Sequence, residues 1–290
     1  MIRPLAALAC TAIMFAADAA SAQTVLRLEP YRRSVAARVE VGGKTRLMAF
    51  DTGGGDSIIS PDVAKAIGCK PFGSLKGYRM TGDRIDTPRC DNVKIRWDGH
   101  DLLAEQAGVY DVTGLFAKDA QPIDGMLSLK LFDGKIVTLD FAGLTVTIET
   151  PQSAAARIAD ATEIPAHLAR ETGGRALAVY VDVPTAHGPL AFELDSGNGG
   201  TLLVSKEYAG EFELDPKKEG PQQGMIPLAP GIEARGMVFT PDLIIDGNLG
   251  MPFLKDYLVT VDLASGRVWI KRNPVAAPAG MGAPPPPRKS

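Results

Sequence analysis

The chain of 290 residues is long enough to bury a core, in one large domain or two small ones. Its 45% hydrophobic and 22% charged residues exclude a chain disordered throughout, and its net charge of −3 lacks the basic footprint of a nucleic-acid or anionic-membrane binder. The 31 glycines and 22 prolines favour short strands and turns over a helical bundle, and three histidines with three cysteines leave little for a protein-built metal site.

Residues 1–22 read as an export signal. Arg3 supplies the positive start, Leu5 to Ala17 the apolar run, and Ala20-Ser21-Ala22 the small-residue cleavage site, so that Gln23 begins the mature protein. The apolar run is shorter than the ~18–20 residues that a bilayer span needs. No later stretch qualifies as a span, and a periplasmic or secreted protein is expected. Cleavage removes Cys10. Two cysteines in an exported chain predict one disulfide, Cys69 to Cys90, ahead of two free thiols.

Residues 23–150 read as a β lobe. Ala37, Val39 and Val41 alternate along one strand, a hairpin turn follows, and Arg46–Phe50 forms a second strand that runs into Asp51-Thr52-Gly53. A glycine-rich turn leads to the apolar strand Ile58-Ile59. Ser60 is a suitable N-cap, Pro61 fits the first helical position, and Gly68 stops that small helix. Val137, Leu139 and Phe141, then Leu144, Val146 and Ile148, predict a hairpin turning near Ala142-Gly143.

Residues 151–159 form a linker, and residues 160–272 repeat the lobe. Val179–Val183 and Leu190–Leu194 lead into Asp195-Ser196-Gly197, followed by Leu202-Leu203-Val204 and a helix between Ser205 and Gly210. Residues 124–150 align with 246–272 without a gap, at a constant offset of 122. Asp124/Asp246, Gly125/Gly247, Leu127/Leu249, Thr138/Thr260 and Asp140/Asp262 are among the identical pairs. Residues 273–290 carry four consecutive prolines and read as a disordered tail.

A single Asp-Thr/Ser-Gly triplet is an ordinary strand-ending turn. Here it occurs once per lobe, at equivalent places, each time with a hydroxyl six residues on (Ser57, Thr201). Packing of two such lobes about a pseudo-two-fold axis brings the equivalent loops together. Two facing carboxylates share one proton, because both cannot ionise cheaply. The ionised member can activate a water and the protonated member can donate to a carbonyl oxygen, which is general acid–base hydrolysis without a metal or cofactor. Thr52 and Ser196 suit bracing of the loops, and Gly53 and Gly197 suit their close approach.

With FDTGGGDSIIS at 50–60, LDSGNGGTLLVS at 194–205, GMLSLKLF at 125–132 and DGNLGMPFLKDYLVTVDL at 246–263, the chain resembles pepsin/retropepsin-type aspartic proteases in a compact bacterial single-chain form. The resemblance implies a mostly β, bilobal fold with a cleft between the lobes, catalytic Asp51 and Asp195, and a peptide or protein substrate. One chain then supplies both aspartates, so a monomer is expected. It also implies a hairpin flap over the cleft at Lys76–Asp86, with Tyr78 near its tip and in reach of substrate, and a counterpart at Gly220–Gly236 in lobe two. Leu249-Gly250 and Met126-Leu127-Ser128 fall where the family packs two apolar residues and a glycine against each loop. Gly54 and Asn198 stand where the family has Ala, Ser or Thr, and the Asn198 amide is expected to donate to Asp195, making it the more readily ionised member. Gly54, Asn198 and Ser128 also support an alternative, a catalytically inactive protein of this fold that binds peptides.

Gly42-Gly43-Lys44-Thr45 lacks the first glycine of a P-loop, because position 38 is Arg38, and no G-x-S-x-G elbow is present. His100, His167 and His187 have no ligand spacing.

Overall fold

The computed structural model describes residues 22–115 and 120–284. The expected export signal therefore lies, up to residue 21, outside the described residues. The described chain is mostly β and is built as three sheets. One eight-stranded sheet belongs to the first lobe and one seven-stranded sheet to the second. The third has six strands and contains pieces of both lobes.

In that shared sheet the hairpin Ile136–Asp140/Thr145–Ile148 meets its repeat, Tyr257–Asp262/Arg267–Arg272. Ile136–Asp140 pairs antiparallel with Tyr257–Asp262, so that Thr138 lies opposite Thr260. Their hydroxyls are 2.9 Å apart and buried, which satisfies two polar groups inside an apolar layer. Val137, Leu139, Val259 and Val261 flank them in the core. That core is continuous through both lobes. Across the lobes, Arg170 also grips both oxygens of Asp133, at 2.8 and 2.7 Å.

In lobe one the strands Ser34–Val41 and Lys44–Phe50 form an antiparallel pair, and Lys44–Phe50 runs parallel to Gly125–Leu127. Lobe two repeats this with Ala178–Val183, Leu190–Leu194 and Gly247–Leu249. The parallel partner is what places the element after Asp124 or Asp246 beside each aspartate loop. Gly125 and Gly247 must be glycine there, since a Cβ would lie 2.2 Å from the Ile58 carbonyl oxygen in one lobe and 2.4 Å from the Phe192 ring in the other. Ser60 caps the helix Pro61–Ala66 through the Val63 N–H, as its sequence predicts.

Cys69 and Cys90 are joined, with Cα atoms 6.0 Å apart. The bond ties the end of the small helix to the long strand Arg84–Trp97, which continues the flap hairpin. The hairpin itself runs Phe72–Tyr78 and back from Arg84, and Gln222–Ala229/Ile232–Phe239 is its counterpart in lobe two.

Two segments differ from their sequence reading. The linker is a helix, Pro151–Ile158, because Thr150 and Ser153 form a reciprocal capping box and Pro151 opens the first turn. The tail does not leave the body at Asn273. Met281 is buried in the shared core, and the Gly282 N–H donates to the Arg33 carbonyl at 3.0 Å. Composition cannot register such a contact, since it depends on where the last strand ends. Residues 285–290 lie outside the described residues.

Candidate active site

The two Asp-Thr/Ser-Gly loops meet at the centre of the cleft. Each is held by the other's hydroxyl. Thr52 Oγ1 donates to the Leu194 carbonyl at 2.7 Å and accepts from the Ser196 N–H at 2.9 Å. Ser196 Oγ donates to the Phe50 carbonyl at 2.9 Å and accepts from the Thr52 N–H at 3.1 Å. Both residues are fully buried. Four backbone groups at the ends of two strands are thereby satisfied across the lobe interface.

Gly53 and Gly197 permit this approach. A Cβ on Gly53 would lie 2.8 Å from the Asp195 carboxyl carbon, and one on Gly197 would lie 2.4 Å from Asp51 Oδ2. Neither glycine has a left-handed φ, so space and not backbone conformation demands them. Asp51 Oδ1 accepts from the Gly53 N–H at 3.0 Å, and Asp195 Oδ1 from the Gly197 N–H at 2.7 Å. The two carboxyl groups are within hydrogen-bonding range of each other. Burial, then the Asp195 charge and that shared hydrogen bond, hold the Asp51 carboxyl well above the usual carboxylate range.

The surroundings of the two aspartates differ. Beside Asp51, the space above Gly54 is taken by Met126, whose Cε lies 2.5 Å from where a Cβ would stand. Beside Asp195, the donor is Asn248, whose Nδ2 lies 2.8 Å from Asp195 Oδ2. This corrects the expectation for Asn198. Its side-chain amide donates to Asn248 Oδ1 at 2.8 Å instead, and only its backbone N–H reaches Asp195 Oδ1, at 3.2 Å. Thr201 Oγ1 completes the chain by donating to Asn198 Oδ1 at 3.0 Å. Asn198 thus orients the group that touches the carboxylate. Ser128 is accommodated because its N–H donates to Ser57 Oγ at 3.1 Å. Its repeat partner Gly250 has no such room, since a Cβ would lie 2.4 Å from the Asn198 carbonyl oxygen.

The cleft has a volume of about 1100 Å³. Tyr78 lines it from the flap and remains 62% exposed. The flap tip reaches the opposite lobe, where the Ile244 N–H donates to the Met80 carbonyl at 2.9 Å. The cleft is therefore roofed at its centre. Glu193, two residues before Asp195, faces it as well. Burial and the two aspartates hold the Glu193 carboxyl well above its usual range. Asn248 and Glu193 were not read from the sequence as site residues. The available signal was a mismatch within the repeat, Met126 against Asn248 and Ala49 against Glu193.

Among the described residues no helix is long and apolar enough to cross a membrane. His167 and His187 are exposed and pair with Asp182 and Glu211.

Residues 37–131 match the family model of aspartyl proteases. No curated protein sequence matches the chain. Among solved structures it is similar to basic 7S globulin from soybean, with a TM-score of 0.55 at 10% identity over 86% of this chain and 94% of that one. It is also similar to conglutin gamma, a basic 7S globulin from lupine seeds, with a TM-score of 0.53 at 10% identity over 87% and 95%. By its first lobe the chain is aspartyl-protease-like, and by its overall fold it is like these bilobal β proteins.

Proposed function

We propose that the protein is an exported aspartic endopeptidase, working as a monomer, that hydrolyses peptide bonds with a water held between Asp51 and Asp195. The observation that carries this reading is the pair of carboxyl groups within hydrogen-bonding range at the floor of a roofed cleft. Asp195, with an amide and two N–H groups donating to it, is the ionised member and takes a proton from the water. Asp51, half-buried at the floor of the cleft and facing Asp195, keeps the proton and donates it to the substrate carbonyl oxygen. Water adds to the carbonyl carbon to give a gem-diol, and as this adduct collapses one of its hydroxyl protons returns to Asp51 while the proton gathered by Asp195 leaves with the amine. No covalent enzyme intermediate forms. Tyr78, Gly54 and Asn198 border the substrate.

The Cys69–Cys90 bond supports export, since such bonds persist in oxidising compartments. The departures that favoured an inactive binding protein each have a structural counterpart: Met126 occupies the space over Gly54, Asn198 orients Asn248, and Ser57 accommodates Ser128. Digestion of a diverse peptide library between pH 3 and 8, read by mass spectrometry, tests the reading. Internal cleavage by the wild type and none by Asp51→Asn or Asp195→Asn is expected. A well-folded wild type that cleaves nothing across this range but retains peptides would establish the binding protein instead.

A further inference from the structure

Beside the aspartates, the two halves of the cleft differ in chemistry. On the lobe-one side Ala49 sits in an apolar cluster with Tyr31, Val112, Ile123 and Met126. The repeat partner of Ala49 is Glu193, at the same distance before its aspartate. Glu193 is only 7% exposed, and its one hydrogen bond among the described residues is accepted by Oε2 from Asn248, at 3.3 Å. Oε1 makes no hydrogen bond there and is open to the cleft. A carboxyl so buried is ordinarily paired with a cation or with several donors. Among the described residues it forms no ion pair. Its cross-strand neighbour is Tyr180, and Glu171 also lines this side. Burial first, and then the neighbouring Glu193, Glu171 and Asp195, push the Tyr180 hydroxyl up. Arg175 lines the cleft too, but its charge acts on Asp56.

We propose that Glu193 forms a subsite for a cationic side chain, so that the cleft takes an apolar residue on one side of the scissile bond and a lysine or arginine on the other. The inference rests on the hydrolase reading for its kinetic form only, since the subsite binds whether or not the bond breaks. An ammonium or guanidinium group seated against Oε1 supplies an opposite charge, which favours the ionised form of a carboxyl that burial and the two aspartates otherwise keep protonated. The apolar neighbour fills the pocket around Ala49.

The test uses one peptide in four versions, with Leu-Leu, Leu-Lys, Lys-Leu or Leu-Glu flanking the cleaved bond. The wild type is expected to cleave one of the two apolar–basic orders at least about tenfold faster in kcat/KM than Leu-Leu, and Leu-Glu slowest. Glu193→Gln, which keeps the shape, should bring that ratio to within about twofold of unity, and Glu193→Asp should retain more of it than Glu193→Gln. Calorimetric affinities of the same peptides for Asp195→Asn separate the two readings. The same ranking in binding, without cleavage by the wild type, would retain the subsite and remove the hydrolase. Equal or tighter binding of Leu-Leu than of both mixed peptides, or a basic preference unchanged in Glu193→Gln, would overturn the subsite.

Discussion

Met126 and Asn248 hold the same place in the two repeats, yet Met126 only fills the space over Gly54 whereas Asn248 donates an amide hydrogen bond to Asp195 at 2.8 Å. An otherwise symmetric pair of loops is thereby made asymmetric at its two carboxyl groups.

That asymmetry predicts the pH profile. In the proposed mechanism the pair works with one shared proton. As pH rises through the upper apparent pKa of the pair the acid is lost, and below the lower one the base is lost. Asn248→Leu removes a donor to the carboxylate that the pair carries, so the acidic limb of kcat/KM should move to higher pH. An unchanged limb in a folded, active variant would remove Asn248 from this role.

Stability should vary with pH in the opposite sense from a salt-bridged carboxylate. The Asp51 carboxyl is raised on folding, so its stabilising share is complete below the unfolded value near 4 and is lost as pH rises through the folded value. Asp51→Asn should therefore melt higher than wild type at pH 7, by roughly 2–4 °C for each kcal/mol recovered, and the gain should vanish below about pH 4. Differential scanning calorimetry across this range checks it.

Gly197→Ala should fold, but its Cβ would lie 2.4 Å from Asp51 Oδ2 and must push the carboxyl groups apart. A displacement near 1 Å costs about 10²-fold in rate. The kcat/KM of Gly197→Ala should fall by that order, with a near-native circular dichroism spectrum.

Reduction of Cys69–Cys90, or its replacement by serine at both positions, should cost about 3 kcal/mol by chain-entropy reasoning for a loop of this length. Because the bond anchors the strand leading from the flap, KM should rise more than kcat falls. Urea unfolding and steady-state kinetics read the two effects.

Much of the fold was legible because the chain states it twice. The alternation at Val137–Phe141 and Val259–Leu263 marks the strands, and the paired triplets locate the loops that meet. What a single sequence did not disclose was contact between distant residues. Asn248 lies 53 residues from Asp195, and only the parallel pairing of Leu190–Leu194 with Gly247–Leu249 brings it to the carboxylate. The packing of Met281 and Gly282 was hidden for the same reason. The helix Pro151–Ile158 is legible in its cap, Thr150 with Ser153, but the Pro-Gln-Ser opening between the two lobes has the composition of a linker.

In the proposed reaction one water is activated by two carboxyl groups acting as a unit. The most direct test is the turnover of one cleaved peptide by wild type, Asp51→Asn and Asp195→Asn at the same acidic pH, with each variant's fold verified by its melting transition. Loss of either group should lower kcat by at least about 10³-fold, because neither acid nor base works alone. A folded variant that keeps more than about a tenth of the wild-type rate would contradict the shared-proton mechanism.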